Sequence, residues 1–289
     1  MPTLTNISAI KGILQKHGFQ FSGKLGQNFL INPSVCPRMA AHAVTNDHTA
    51  VIEVGPGIGV LTVELAKVAK KVVAIELDER LLPILDETLA GLENVEVIHG
   101  DVMKVDLAAL VAEKFEGLDV VVCANLPYYI TSPVIMRFLE EKPGIKSLTV
   151  MVQKEAADRI TASPKTRECG AISFAVSYHS RPAKLFDLSP GSFMPAPSVT
   201  STVIKLDILP EPPVKADDEA FFFDCVKAGF SMRRKTLLNC LSAYFRREKA
   251  EIKNFIAEAG LKETARIEEL SLEELCKLSN IMLRTVKKA

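Results

Sequence analysis

The chain has 289 residues, of which 48% are hydrophobic and 24% charged, and acidic and basic residues balance to a formal net charge of zero. This length suits about two domains with a sizeable core, and the zero net charge gives no global sign of a nucleic-acid partner. No apolar run reaches the ~18 residues of a membrane span, and the N-terminus lacks a signal-peptide pattern. The six cysteines lack metal-ligand spacing, so we expect a cytoplasmic protein with reduced thiols and no metal.

The N-terminal region is predicted to be helical before any strand appears. Residues 6–17 suit a short amphipathic helix that Gly18 would end, and residues 24–30 suit a polar turn. Asn32 and Pro33 predict a second helix, with Asn32 as its N-cap and Pro33 in its first position.

From residue 50 onward, apolar strands alternate with helices. We predict strands at 50–54, 71–77, 95–99, 118–124 and 147–153, each followed by a helix. This alternation indicates a mostly parallel sheet with helices on both faces. A further helix at 172–179 precedes two strands, 184–188 and 200–207, which a proline-rich loop joins and which suit an antiparallel edge.

The segment Leu209–Pro213 is the strongest candidate linker. Beyond it the pattern is purely helical, with predicted helices at 217–230, 235–245, 249–259 and 271–286, and Ser271 and Glu274 have capping-box spacing. The expected organisation is therefore an α/β domain at 1–208 and a small all-helical domain at 209–289.

Polar or flexible residues follow successive strands of the predicted sheet. Gly55, Gly57 and Gly59 form a G-x-G-x-G turn before a helix, Glu76 ends the second strand, and Asp101 follows the third. Close backbone approach, a ribose diol and an adenine amine would suit these three features respectively. Taken singly, a tight βα turn, a solvated carboxylate and a turn-capping Asp would look the same, and only the combination is specific.

The stretch after the fourth strand is Asn125-Leu126-Pro127-Tyr128. Pro127 fixes its own φ and favours an extended Leu126, so the Leu126 carbonyl and the Asn125 side-chain oxygen can face the same point. Two fixed acceptors beside an aromatic ring suit an amine on a planar heterocycle. An ordinary proline-containing loop after a strand is the alternative for this tetrapeptide alone.

With these motifs in view, the chain resembles the class I S-adenosylmethionine-dependent methyltransferases, and more narrowly the KsgA-type ribosomal RNA adenine dimethyltransferases. The resemblance covers nearly the whole chain. Its motifs include 26–30, 53–57, 75–78, 100–101, 125–128, 153–155, 193–199 and 230–237, with no departure at a motif position.

The resemblance implies a Rossmann-like seven-stranded methyltransferase sheet with the helical domain binding RNA. It implies an enzyme that moves methyl groups from S-adenosylmethionine to N6 of two adjacent adenosines near the 3′ end of 16S rRNA, during small-subunit biogenesis, and we expect a monomer. The implied cofactor contacts are Asn28, Leu30, Gly55, Glu76, Asp101 and Asn125. Asn125, Leu126, Pro127 and Tyr128 would hold the adenine, with Phe193 on its other face, although Phe193 could also be an ordinary loop anchor.

Local charge supplies the indication of RNA that net charge does not. Residues 227–253 carry eight basic side chains against two acidic ones, an excess of six. We assign Arg233, Arg234 and Lys235 to phosphate contacts, leave Arg246 and Arg247 open, and add Lys24 and Arg137 as further candidates. A solvated helical face is the competing interpretation of such a run.

Three other functions compete with this interpretation. A 23S rRNA methyltransferase of the antibiotic-resistance type shares the N-terminal motifs, but residues 230–237 argue against it. A non-catalytic RNA-binding assembly factor on the same scaffold is disfavoured by the intact site motifs, although both roles can coexist. An NAD-dependent enzyme is disfavoured because the glycine spacing is not G-x-G-x-x-G.

Overall fold

A seven-stranded mixed sheet organises the first part of the chain. The computed structural model describes residues 4–21, 28–232 and 234–286. Its strands are β1 (Phe29–Leu30), β2 (Thr49–Val54), β3 (Lys71–Glu76), β4 (Val95–His99), β5 (Asp119–Asn125), β6 (Ser147–Gln153), β7 (Ser180–Leu188), β8 (Phe193–Met194) and β9 (Ser201–Ile208). The large sheet has the order β4-β3-β2-β5-β6-β9-β7, and β1 pairs with β8 in a separate two-stranded sheet.

Five neighbouring strands, β4, β3, β2, β5 and β6, run parallel, and β9 runs antiparallel to β6. Val54 pairs with Ile75, Glu76 with His99 and Asn125 with Met151. The carboxyl ends of the parallel strands therefore meet at one edge, which is where open α/β sheets bind ligands.

The helices follow the predicted rhythm with local differences. They are α1 (Ile7–Lys16), α2 (Val35–Ala43), α3 (Val60–Ala66), α4 (Leu82–Thr88), α5 (Leu107–Lys114), α6 (Thr131–Glu141), α7 (Lys154–Ile160), α8 (Ala171–His179), α9 (Glu219–Phe230), α10 (Leu237–Phe245), α11 (Lys249–Glu258) and α12 (Leu272–Val286). The helix predicted at 6–17 is α1, and Asn6 is its N-cap, because the Asn6 side chain accepts hydrogen bonds from the Ser8 and Ala9 N–H groups.

The predicted start of the second helix at Asn32 and Pro33 is wrong. The helix α2 begins at Val35, and the Asn32 side chain instead accepts hydrogen bonds from the backbone N–H and the hydroxyl of Ser34. In this Asx turn the Ser34 N–H donates to Asn32, as it would if Asn32 were an N-cap, but no helix follows directly. An Asn-Pro pair alone therefore does not fix where a helix begins.

Two compact units divide the chain. One comprises Met1–Ala157 and Ala183–Ile208, and the other comprises Asp158–Pro182 and Leu209–Ala289. The chain passes from the first unit to the second after residue 157, returns after 182 and passes over again after 208. The last of these changes falls at the boundary expected from sequence, whereas the segment 158–182, with α8, belongs to the helical unit. Tyr178 of α8 stacks on Phe222 of α9 with ring centroids 5.2 Å apart. This contact joins residues far apart in sequence, so no local sequence pattern predicts it.

The helical unit has its own core, formed by α8 to α12. The capping box at the start of α12 is present: the Glu274 carboxylate accepts from the Ser271 N–H at 2.7 Å, and the Glu274 N–H donates to the Ser271 hydroxyl at 3.2 Å. These reciprocal bonds satisfy donors that a helix start would otherwise leave unpaired.

All six cysteines are buried free thiols. Within the described ranges, no His, Cys, Asp and Glu side chains cluster as a metal site would require. No helix in that part of the chain is both long enough and apolar enough to cross a bilayer.

Candidate active site

A cavity of about 280 Å³ opens at the carboxyl ends of β2 to β5. Its wall contains every residue that the sequence assigned to the cofactor or to the adenine, namely Asn28, Leu30, Gly55, Glu76, Asp101, Asn125, Leu126, Pro127, Tyr128 and Phe193. Gly55, Glu76, Asp101 and Asn125 share this cavity because parallel strands end at the same edge of the sheet. Asn28 and Phe193, 165 positions apart in sequence, reach it from the separate β1–β8 pair and the residue before it.

The glycine turn forms one wall. Gly55, Gly57 and Gly59 have φ values of +69°, +62° and +86°, a region that other residues rarely adopt. A Cβ on Gly57 would lie 3.2 Å from the Phe29 ring, so that position is also sterically tight. The turn therefore depends on glycine both for its conformation and for the space that it leaves.

Glu76 holds the turn and its own loop together. One carboxylate oxygen accepts from the Gly57 N–H at 3.2 Å and the other from the Asp78 N–H at 2.8 Å. Burial raises the pKa of the Glu76 carboxyl, and these two hydrogen bonds oppose that shift. The side chain is thus fixed in place at the wall of the cavity.

Glu53 is a buried carboxyl with no role predicted from sequence. It belongs to β2, whose residues are all buried, and it lines the cavity. Among the described residues, its Oε2 atom has no hydrogen-bond partner, and burial raises the pKa of the carboxyl to about 8. A single acidic residue inside an apolar strand, directly before a glycine turn, is the signal that could have identified it.

Asp101 lies in a loop whose backbone carbonyls accept hydrogen bonds from Arg137. The Asp101 side chain accepts from the Met103 N–H at 2.9 Å. From α6, Arg137 donates to the Val102 carbonyl and, at 2.5 Å, to the Val105 carbonyl, and its Nε atom donates to Glu141 at 2.6 Å. These bonds engage the Arg137 guanidinium within the protein, which argues against the phosphate contact suggested for it from sequence.

Asn125 ends β5 and is oriented by the N-terminal region. Its Nδ2 atom donates to the Asn28 carbonyl at 3.3 Å, which leaves Oδ1 as the acceptor not used in that bond. Pro127 has φ −55° and ψ 135°, and its carbonyl accepts from the Ile130 N–H at 3.1 Å. The Leu126 carbonyl therefore lies in a stiff segment between a strand and a short 3₁₀ turn.

Tyr128 and Phe193 are both anchored. The Tyr128 hydroxyl lies 3.0 Å from the Ser201 hydroxyl on β9. Phe193 is buried in β8, where it pairs with Leu30 of β1. The β1–β8 pair thus brings Phe193 to the same cavity as residues from β2 to β5, a contact that the sequence pattern alone did not establish.

The predicted RNA-contacting residues lie in the helical unit. Arg234 and Lys235 are exposed, just before α10, whereas Arg233 falls outside the described residues, as does Lys24. Of the neighbouring basic side chains, Arg247 pairs with Glu251, and Lys253 pairs with Glu263 at 2.8 Å. Within the described part of the chain, Arg234, Lys235 and Arg246 make no ion pair, so their charges stay available.

The strand order, the glycine turn and the row of polar residues at the strand ends define a Rossmann-like methyltransferase fold. Two solved structures agree. A dimethyladenosine transferase from Plasmodium falciparum superposes with a TM-score of 0.72 at 25% identity, over 90% of this chain and 98% of that one. The 23S rRNA methyltransferase ErmE does so with a TM-score of 0.65 at 24% identity, over 88% and 99%. The predicted fold class is thereby confirmed.

The family model described as "Ribosomal RNA adenine dimethylase" matches residues 18–283. Ribosomal RNA small subunit methyltransferase A of Alkaliphilus oremlandii is 48% identical over 281 residues, covering 97% of this chain and 98% of that protein. The protein of the same name from Bacillus mycoides is 46% identical over 287 residues, covering 98% of each. The chain belongs to the ribosomal RNA adenine dimethylase family and is a methyltransferase, as the sequence predicted.

Proposed function

We propose that the protein transfers methyl groups from S-adenosylmethionine to N6 of two adjacent adenosines near the 3′ end of 16S rRNA, in the small ribosomal subunit or its precursor. The observation that carries this proposal is the single cavity that contains the glycine turn, Glu76, Asp101 and the segment Asn125–Tyr128. The small-subunit assignment is supported by the names of relatives that are 46–48% identical over nearly the full length. That similarity favours it over a 23S rRNA substrate.

The cavity fits this cofactor. The positive-φ glycines allow close backbone approach, and three carboxyl groups, Glu53, Glu76 and Asp101, line the wall. The carboxyl groups of Glu76 and Asp101 suit a ligand that carries a sulfonium and an ammonium group. Glu53, whose pKa is raised to about 8 by burial, adds little charge at neutral pH, but its buried Oε2 atom, which has no hydrogen-bond partner among the described residues, is an acceptor that such a ligand could satisfy. Glu76 would hold the ribose hydroxyls and Asp101 the adenine amine, with Asn28, Leu30 and Gly55 completing the contacts.

When bound, the cofactor supplies a methyl group on a sulfonium, which is already a good leaving group. The difficulty lies with the adenine amine, because its lone pair is delocalised into the ring. In our proposal, Asn125 Oδ1 and the Leu126 carbonyl accept the two N–H groups and turn the lone pair toward the methyl carbon. Position and electrostatics then suffice without a dedicated base, and the proton is lost once the nitrogen has become cationic.

The target adenine has to leave its stack to reach this cavity. Tyr128 would receive one face of the base and Phe193 the other. The hydrogen bond between the Tyr128 and Ser201 hydroxyls limits rotation of the Tyr128 side chain. A fixed ring loses less entropy on binding than a mobile one, so this anchoring supports a role for Tyr128 as a stacking platform.

The helical unit would bind RNA phosphates through Arg234 and Lys235, together with Arg233. Exposed cations without carboxylate partners keep their full charge for phosphate contacts, whereas an ion-paired cation has to give up its partner first. Arg246 meets the same description and joins this set. Such contacts fix the position of the RNA and carry no sequence information.

A transfer assay tests the proposal. Purified protein is incubated with labelled S-adenosylmethionine and small subunits from cells that lack the methylation, and the modified bases are then mapped. We expect label at N6 of two adjacent adenosines near the 3′ end of 16S rRNA. Label in 23S rRNA would support the large-subunit alternative, and cofactor binding without transfer to either RNA would contradict the proposed reaction.

A further inference from the structure

Three exposed apolar side chains surround the mouth of the cavity. Leu77, Met103 and Tyr129 are 49%, 38% and 55% exposed, and all three line the cavity. Leu77 and Met103 closely follow Glu76 and Asp101, so they belong to the cofactor end. Tyr129 directly follows the segment proposed to hold the target adenine, so it lies at the substrate end.

Tyr129 is less constrained than the neighbouring Tyr128. Tyr128 is half-buried and its hydroxyl is anchored on Ser201. In the described ranges, no aromatic ring packs against Tyr129 and no hydrogen bond is made by its side chain. A large, largely exposed ring at the mouth of a cavity presents a flat apolar face to whatever enters.

The reaction creates a need for such a face. Moving one adenine out of its stack exposes the π-face of the next base, which loses a partner. In the proposed substrate that next base is a second adenosine, itself a target. Aromatic side chains replace lost base stacking without requiring a particular base.

We propose that Tyr129 forms a second nucleobase site, which stacks on the base adjacent to the adenine bound between Tyr128 and Phe193. This inference rests on the proposed function. Tyr129 would hold the neighbouring adenosine at the mouth during transfer to the first, and so contribute to substrate affinity rather than to cofactor binding. Its hydroxyl is not required for stacking, so phenylalanine should replace it.

The test compares Tyr129→Ala, Tyr129→Phe and the control Val68→Ala, which removes another exposed apolar side chain, one that does not line the cavity. For Tyr129→Ala we expect KM for unmethylated small subunits to rise by about 10-fold, as the loss of one stacked base predicts. The dissociation constant for S-adenosylhomocysteine should stay within about twofold of the wild-type value, because the proposed contact is made to the substrate only. Tyr129→Phe and Val68→Ala should behave like the wild type.

Wild-type transfer in the same assay separates the two proposals, since it tests the reaction independently of Tyr129. If the wild type is active and KM for subunits is unchanged in Tyr129→Ala, the second nucleobase site is refuted while the proposed function stands. Equal losses of cofactor and subunit affinity would also overturn it and place Tyr129 at the cofactor. A KM increase shared by Tyr129→Phe would rule out stacking as the cause.

Discussion

The cavity at the sheet edge and the exposed segment before α10 hold their candidate functional residues in opposite ways. At the cavity, Glu76, Asn125 and Tyr128 are each fixed by a hydrogen bond to another part of the fold. Before α10, Arg234 and Lys235 are exposed and make no ion pair within the described part of the chain. Methyl transfer needs a defined geometry, whereas attraction to phosphate needs mainly charge, and this difference in chemistry explains the difference in structure.

The comparison predicts that changes in the cavity act on the chemical step or on the cofactor, while changes before α10 act on RNA affinity and its dependence on salt. Four variants test that expectation, and the largest effect should come from Asn125, whose side-chain oxygen is proposed to accept from the adenine amine.

Asn125→Ala should lower kcat by about 100-fold or more, because it removes one of the two acceptors proposed to orient the amine. It also removes the hydrogen bond to the Asn28 carbonyl, so the thermal midpoint has to be measured together with the activity. The exposed Asn254→Ala on α11 serves as the control and should leave both values unchanged. Normal turnover in folded Asn125→Ala protein would refute the assigned role.

Glu53→Gln tests the buried carboxyl through stability. Because burial raises the pKa of Glu53 to about 8, the folded protein binds more protons than the unfolded chain between pH ~4.5 and ~8. The wild-type free energy of unfolding should therefore fall as pH rises through that window, by on the order of a few kcal/mol.

The Gln variant cannot ionise, so its unfolding free energy should lack this decline and exceed the wild-type value at pH 9. Urea unfolding of cofactor-free protein from pH 5 to 9 measures the difference. The surface variant Glu258→Gln should follow the wild type. Parallel curves for Glu53→Gln and wild type would show that Glu53 ionises normally.

Arg137→Met tests the hydrogen bonds that Arg137 donates to the loop containing Asp101. Loss of the hydrogen bonds to the Val102 and Val105 carbonyls should weaken cofactor binding by about 10-fold, since charge-assisted bonds contribute about 1.5–3 kcal/mol each and the loop can partly relax. Calorimetry with S-adenosylhomocysteine measures this, with the exposed Arg167→Met as control. A loss of RNA affinity with cofactor binding intact would restore the phosphate contact suggested from sequence.

The double variant Arg234→Gln, Lys235→Gln should produce the mildest effect, a weaker affinity for small subunits with cofactor binding unchanged. If both side chains contact phosphates, the slope of log K against log salt should become shallower by about 1.5. The matched control is Lys227→Gln, Lys253→Gln, which removes the same charge from cations paired with Asp224 and Glu263. If the slope of log K against log salt were the same for the two double variants, Arg234 and Lys235 would act only through net charge and not through specific phosphate contacts.

Local patterns predicted most elements because strands and helices here have clear periods and caps. The capping box at Ser271 depends on residues within one turn, and it is present. The predicted start of α2 was wrong because the Asn32 side chain accepts from the Ser34 N–H in a turn and does not cap a helix there. The membership of α8 in the helical unit depends on packing such as Tyr178 on Phe222, between residues far apart in sequence.

By itself, the sequence determined the alternation that builds the parallel sheet, the glycine turn and the polar residues at the strand ends, because each depends on neighbours along the chain. Only the tertiary structure decided which distant side chains meet. It placed Phe193 at the cavity through the β1–β8 pair, engaged Arg137 on the Asp101 loop, and left Glu53 buried and Tyr129 exposed. Burial and long-range contacts arise from the packing of the whole chain, so no local pattern contains them.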